Sequence, residues 1–94
     1  MNKIFKFMSR EPYYSKERAG VKNNTAREID LNDDRYLELI TSMMNGFDDG
    51  DLKINIIRTP NKEDNFTRDI RDISVYNNLM VITWNPKRTN EVKK

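Results

Sequence analysis

The sequence predicts a small α+β domain with a mainly antiparallel, barrel-like sheet of about five strands and about two helices. Two observations predict this class: strand and helix patterns alternate in the first half, and three strand patterns joined by short polar turns follow. The chain has 94 residues, which is enough for one modest core. We therefore expect a single domain over residues 1–94, with its core over about residues 3–84 and a polar tail over residues 85–94.

The first strand is predicted over residues 3–8, which are rich in aromatic and β-branched side chains. A short helix follows, for which Ser9 is the predicted N-cap and Pro12 suits the first turn. Gly20 is predicted to end this helix, because glycine adopts the left-handed conformation common at helix C-termini.

Tyr13 and Tyr14 begin the predicted short helix. We expect them to pack one edge of the helix against the core, with stacking on a nucleobase as the alternative. A short strand is then predicted over residues 25–29.

A longer helix is predicted after the acidic residues 30–34, which supply an N-cap and suit the positive end of the helix dipole. Gly46 marks its end. Its predicted apolar face consists of Tyr36, Leu37, Ile40, Met43, Met44 and Phe47.

Residues 47–51 form a predicted turn that carries three aspartates. Calcium is the alternative to a solvated turn, but the alternating oxygen ligands and the distal glutamate of an EF-hand loop are missing. We therefore predict no metal and no cofactor.

Three strands follow, over residues 52–56, 66–73 and 79–84. Asn77 and Asn78 supply the turn before the last of them. This last strand is the most apolar run of the chain, which predicts a central, buried strand.

Charge is distributed unevenly along the chain, although the net charge is only +2. Residues 1–28 carry seven basic and three acidic residues, residues 29–51 one and seven, and residues 52–94 nine and five. Two basic segments thus flank an acidic one, a pattern that fits either a nucleic-acid-binding face or ordinary solvated charge.

Composition excludes several classes of chemistry. The chain has no cysteine and no histidine, which excludes disulfides, zinc sites and Ser-His or Cys-His catalytic pairs. No apolar run approaches the roughly 20 residues of a membrane span, and the lysine-interrupted N-terminus does not fit a signal peptide. A cytoplasmic protein without membrane contact is the expectation.

The most informative stretch is residues 20–27, Gly-Val-Lys-Asn-Asn-Thr-Ala-Arg, between the short helix and the second strand. Gly20, Lys22, Thr25 and Arg27 combine a flexible backbone point with two cations and a hydroxyl. Cations bind phosphate, and arginine does so through two parallel N–H groups. These residues predict a site for a small anionic or polar ligand.

Alternatives remain for both cations. Lys22 also fits a solvated loop, and Arg27 also fits an ion pair with Glu28, with Asp30 or with an acidic residue of another strand. Tyr13 and Trp84 are further candidate ligand contacts, because their rings can stack on bases.

The pattern Gly-x-Lys-x-x-Thr-x-Arg after a first strand and short helix resembles the signature of the ASCH domain. This family is a small β-barrel related to the PUA RNA-binding domain. Residues 50–52 resemble its Gly-Asp turn before a barrel strand, and residues 81–84 resemble its apolar final strand. The resemblance covers about residues 3–84 and implies a PUA-like barrel whose cleft binds RNA or nucleotides.

Some small members of this family hydrolyse the acetyl amide of N4-acetylcytidine with a lysine, a threonine and a separate glutamate. The resemblance assigns the first two roles to Lys22 and Thr25. The glutamate lies before the family's last strand, where residues 74–78 of this chain contain no carboxylate. The longer helix over residues 36–44 is a second departure.

Three functions follow. The first is a non-catalytic module that binds RNA or a nucleotide through the basic motif. The second is a compact adaptor or inhibitor of a protein partner, motivated by the acidic residues 48–51. The third is an amidohydrolase for N4-acetylcytidine-type nucleosides, which the missing glutamate disfavours. We expect binding rather than catalysis.

Overall fold

Five strands and two helices follow one another in the order that the sequence predicts. The computed structural model describes residues 3–86. The elements are β1 (Lys3–Ser9), α1 (Tyr13–Ala19), β2 (Asn24–Glu28), α2 (Asp34–Asn45), β3 (Leu52–Arg58), β4 (Asn65–Tyr76) and β5 (Leu79–Trp84). Most of the predicted tail lies outside the described residues.

The strands form one mixed sheet in the order β1-β3-β4-β5-β2. The β1–β3 pairing is parallel, and the other three pairings are antiparallel. The sheet curls into a half-barrel, which confirms the predicted α+β class and its mainly antiparallel sheet. Strands β1 and β2 form the two edges of this half-barrel.

The core fills the inner face of the curled sheet. Side chains of a strand alternate between its faces, so β1, β3 and β5 give every second residue to the core, whereas the core residues of β4 are spaced irregularly. Each large apolar side chain that is buried contributes about 1.5–3 kcal/mol to the free energy of unfolding. The core residues are Phe5, Phe7, Tyr14, Tyr36, Leu39, Leu52, Ile54, Ile56, Phe66, Ile70, Ile73, Met80, Ile82 and Trp84.

Helix α1 starts differently from the prediction. Pro12 occupies the N-cap position and gives no side-chain cap, while the Glu11 carboxylate accepts a hydrogen bond from the Ser15 backbone N–H at 3.2 Å. Ser9 was wrongly predicted as the cap: it is the last residue of β1, and its side chain points into the protein. Gly20 ends the helix as predicted, with a left-handed φ of 86°.

Helix α2 buries a different face from the predicted one. Tyr36 and Leu39 are buried, although the predicted face omits Leu39, and Ile40 and Met43 pack against the core. Two members of the predicted face, Leu37 and Met44, are exposed instead. The buried stripe follows the i, i+3, i+4, i+7 spacing, which leaves the positions beside it in solvent.

Neither of the two helices, α1 and α2, is long and apolar enough to cross a membrane.

Candidate functional site

A cleft of about 620 Å³ opens between the end of β1 and strand β2, with α1 along one side. Its volume lies within the range of about 300–1,000 Å³ that is usual for small-molecule sites. The polar side chains that line it include Ser9, Arg10, Tyr13, Glu17, Lys22, Thr25 and Arg27.

The turn after α1 positions the motif side chains. The left-handed Gly20 lets the chain reverse, and the backbone N–H groups of Val21 and Lys22 both donate to Lys16 O, at 3.0 and 3.1 Å. Strand β2 then places Thr25 and Arg27 two residues apart, so both face the inside of the half-barrel. The backbone therefore brings both motif side chains to the cleft.

Four side chains form what we call the floor of the cleft: Ser9, Glu17, Lys22 and Thr25. The Glu17 side chain is 2% exposed. Ser9 Oγ donates to one of its carboxylate oxygens at 2.9 Å, and Lys22 Nζ donates to the other at 3.0 Å. A buried carboxylate is tolerated only when such partners compensate its lost hydration, so the floor is built around Glu17.

Lys22 holds a second partner, the backbone carbonyl oxygen of Asn24. Trp84 on β5 donates its backbone N–H to Asn23 O, and successive residues of a strand point to opposite edges. Asn24 O therefore lies on the free edge of β2, where no strand of residues 3–86 pairs with it. Lys22 thus links this free edge to α1.

Arg27 bridges the two edges of the sheet. Its Nε donates to Thr25 Oγ1 at 3.1 Å on its own strand, and its Nη2 donates to Met8 O on β1 at 2.6 Å. The guanidinium also lies 5.0 Å from the centre of the Phe7 ring. Burial lowers the pKa of Arg27 from its ordinary value, while the Tyr36 hydroxyl and the Glu17 carboxylate act in the opposite direction.

Three exposed side chains form what we call the rim of the cleft: Arg10, Glu11 and Tyr13. The Glu11 carboxylate accepts from Ser15 Oγ at 2.7 Å and lies 3.3 Å from Arg58 Nε. Tyr13 is 57% exposed, so the face of its ring is open to a ligand. Within residues 3–86, the Arg10 side chain takes part in no hydrogen bond or ion pair. The rim therefore offers an aromatic ring and an uncommitted guanidinium.

The predicted site residues separate into two groups. Tyr13, Lys22, Thr25 and Arg27 come together in the cleft. Gly20 is absent from its lining; its backbone N–H donates to Glu17 O at 3.3 Å and is not available to an anion.

Trp84 lies in the core rather than at the cleft. It is 1% exposed, and its ring packs 6.3 Å from that of Phe66. A base cannot stack on a ring that is covered in this way, and Trp84 is absent from the cleft lining.

Sequence reasoning missed Glu17 and Arg10. Glu17 lies three residues after the buried Tyr14, so both share one face of α1. This spacing was the available signal that Glu17 points inward. No comparable signal marks Arg10, because its lack of a partner depends on the tertiary structure.

The aspartates of the turn after α2 bind protein groups. Asp51 accepts from the Asp48 backbone N–H at 3.0 Å, and Asp49 accepts from Asn85 Nδ2 at 3.4 Å. No cluster of three or more potential metal ligands occurs among residues 3–86.

No protein-family model matches the chain, and no curated protein matches it. The resemblance to the ASCH domain therefore depends on the residues quoted above and stays a prediction.

Proposed function

We propose that the protein is a small module that binds RNA or a nucleotide in the cleft between β1 and β2. One observation carries the proposal: the cleft has the volume of a small-molecule site and combines a hydrogen-bonding floor with a guanidinium and an aromatic ring at its rim. The ASCH resemblance of residues 20–27 points to the same class of ligand.

The rim supplies the two interactions that single-stranded RNA needs from a protein. Bases stack on exposed aromatic side chains, which is the role we assign to Tyr13. Phosphates bind guanidinium groups, which is the role we assign to Arg10.

This assignment moves the phosphate contact away from the motif cations. Lys22 is bound to Glu17 and Asn24 O, and Arg27 is bound to Thr25 and Met8 O. A phosphate at either cation would have to replace these contacts, whereas Arg10 has no partner among residues 3–86 to lose. Arg10 therefore replaces Lys22 and Arg27 as the proposed phosphate ligand.

The test is the affinity for a fluorescent single-stranded RNA and the matching DNA, measured by anisotropy at two salt concentrations. Arg10→Ala is compared with Arg71→Ala, which removes an exposed arginine outside the cleft lining. We expect salt-sensitive RNA binding that Arg10→Ala weakens roughly tenfold, the value of one charge-assisted hydrogen bond, while Arg71→Ala leaves it unchanged.

Equal losses in the two variants would contradict the proposal, because they would indicate attraction of RNA to positive charge anywhere on the surface. Lack of RNA and DNA binding by the wild type would also contradict it, and would favour a protein partner.

A second candidate function is hydrolysis of an N4-acetylcytidine-type amide, in which water cleaves the C–N bond to give acetate and cytidine. One observation favours it: Glu17 on α1 supplies a carboxylate 3.0 Å from Lys22, although residues 74–78 supply none. Lysine and carboxylate side chains in a desolvated cleft can act as general acid and base. Thr25 Oγ1 accepts a hydrogen bond from Arg27, so the Thr25 hydroxyl can still donate its own hydrogen.

Incubation with N4-acetylcytidine, followed by chromatographic detection of cytidine, tests this candidate. Activity should disappear in Glu17→Gln and Lys22→Met and persist in Arg71→Ala. If the wild type releases no cytidine, this candidate is wrong.

A further inference from the structure

Three side chains of the cleft lie in order along α1. Arg10 precedes the helix, Tyr13 is its first residue, and Glu17 lies four residues further on. Residues four apart lie on the same face, about 6 Å along the helix axis. A path along α1 therefore passes from a guanidinium with no partner among residues 3–86 to an aromatic ring and then to a buried carboxylate. The Glu11 carboxylate, which follows Arg10 in the chain, is already bound by protein groups.

The floor is a poor place for a phosphate. Its deepest charged group is the Glu17 carboxylate, and like charges repel strongly where water is excluded. The neighbouring Lys22 already neutralises this carboxylate and has no excess charge to offer. Another cation of the lining, Arg27, has two of its N–H groups on Thr25 and Met8.

The floor suits an uncharged polar group instead. The Glu17 side chain is only 2% exposed, but unlike Trp84 it belongs to the cleft lining. A carboxylate has about four acceptor positions, and Glu17 uses two of them, for Ser9 and Lys22. The Lys22 ammonium stands beside it as a donor. Adjacent acceptor and donor groups match the edge of a nucleobase, where an N–H group neighbours a ring nitrogen or a carbonyl oxygen.

We propose that the cleft takes a single nucleotide with its base against the floor and its phosphate at the rim, where Arg10 binds it. The base then lies beside Tyr13 and presents its hydrogen-bonding edge to Glu17 and Lys22. This inference, which rests on the proposed function, makes Glu17 a ligand contact and favours unpaired nucleotides, because a base pair occupies the same edge.

The test compares a nucleotide with its own nucleoside, AMP with adenosine, by isothermal titration calorimetry. The proteins are the wild type, Arg10→Ala, Glu17→Gln and the control Arg71→Ala. We expect Arg10→Ala to weaken AMP binding about tenfold and to leave adenosine binding unchanged, because only AMP carries the phosphate. Glu17→Gln should weaken both ligands by the same factor, because both carry the base.

Two results would overturn the inference. Tighter AMP binding by Glu17→Gln would place the phosphate at the floor, where removal of the carboxylate relieves repulsion. Equal effects of Arg10→Ala on both ligands would also contradict the assigned orientation. Because Arg10 is exposed, Arg10→Ala should not disturb folding. The comparison of AMP with adenosine in this variant therefore tests the orientation even if Glu17→Gln impairs folding.

Failure of this inference is distinguishable from failure of the proposed function. RNA binding that depends on Arg10, together with no binding of AMP or adenosine, would overturn the orientation and keep the binding module. Absence of RNA binding as well would overturn both.

Discussion

Glu17 determines the chemistry of the cleft more than any other residue. It is a carboxylate that folding removes from water, and its two oxygen atoms depend on Ser9 and Lys22. Removing one partner of a buried ion pair leaves an uncompensated charge, which costs more than the pair itself contributes. The stability of the protein should therefore respond to which partner is removed.

We expect Lys22→Met to lower the free energy of unfolding by about 2 kcal/mol, below the usual cost for buried pairs because Lys22 is 31% exposed. Glu17→Gln should lower the free energy of unfolding by less, since glutamine is neutral and its oxygen can still accept a hydrogen bond from Ser9. Urea denaturation measures both effects.

The double variant Glu17→Gln/Lys22→Met is the control for this explanation. It contains no unpaired charge, so it should be at least as stable as Lys22→Met alone. If the stability losses of the two single variants simply add in the double variant, an unpaired Glu17 carboxylate is not the reason why Lys22→Met is destabilising.

The motif and its partners differ in how well the sequence predicts them. Thr25 and Arg27 share a face because a strand has a period of two, which is visible in the sequence. The partners of Arg27 and Lys22 were not predictable in the same way. Met8 O becomes a partner of Arg27 only because the curled sheet brings its two edge strands together.

At the scale of elements, the free edge of β1 is covered by side chains. Lys6 O and Met8 O belong to alternate residues and so point to the same edge, away from β3. Arg35 donates to Lys6 O, and Arg27 donates to Met8 O. Both guanidinium groups lie over the Phe7 ring, at 4.3 and 5.0 Å.

Helix α2 holds one of these arginines in place. The carboxylate of Asp33 caps the helix by accepting from the Arg35 backbone N–H at 3.0 Å, and it also binds the Arg35 guanidinium. These hydrogen bonds hold the pKa of Asp33 below its ordinary value. The same pair, Asp33 and Arg35, thus caps helix α2 and covers the free edge of β1.

An uncovered strand edge is a template for pairing with another chain. We therefore expect Arg27→Met/Arg35→Met, which exposes Lys6 O and Met8 O, to raise the average molar mass above that of the wild type. Size-exclusion chromatography with light scattering measures this change.

The matched control is Arg10→Met/Arg71→Met, which removes the same charge from exposed positions that cap no strand. An unchanged mass in the Arg27/Arg35 variant, or equal increases in both variants, would contradict the role of the guanidinium groups as an edge cover.

The elements themselves were predicted to different degrees. Strand β3 was predicted well, because its alternating apolar residues show a clear period of two. Strand β4 continues to Tyr76, beyond its predicted end at Ile73, and the irregular pairing between Ile70 and Asp72 interrupts its alternation.

At the scale of the whole molecule, one core joins the elements. The ring of Tyr14 on α1 lies 5.6 Å from that of Phe66 on β4, which in turn lies 6.3 Å from Trp84 on β5. Leu39 brings α2 into the same core. A small domain with one core is expected to unfold in a single cooperative step.

Trp84 is the only tryptophan of the chain, so its fluorescence reports on the core, while far-UV circular dichroism reports on the helices and strands. Both signals should give the same urea midpoint.

Leu39→Ala removes a side chain that is 0% exposed and should lower the free energy of unfolding by about 2–5 kcal/mol, shifting both midpoints equally. Met44→Ala, on the same helix but 77% exposed, should change either midpoint very little. A shift of the circular dichroism midpoint alone would show that α2 unfolds separately from the sheet, and would contradict the single core.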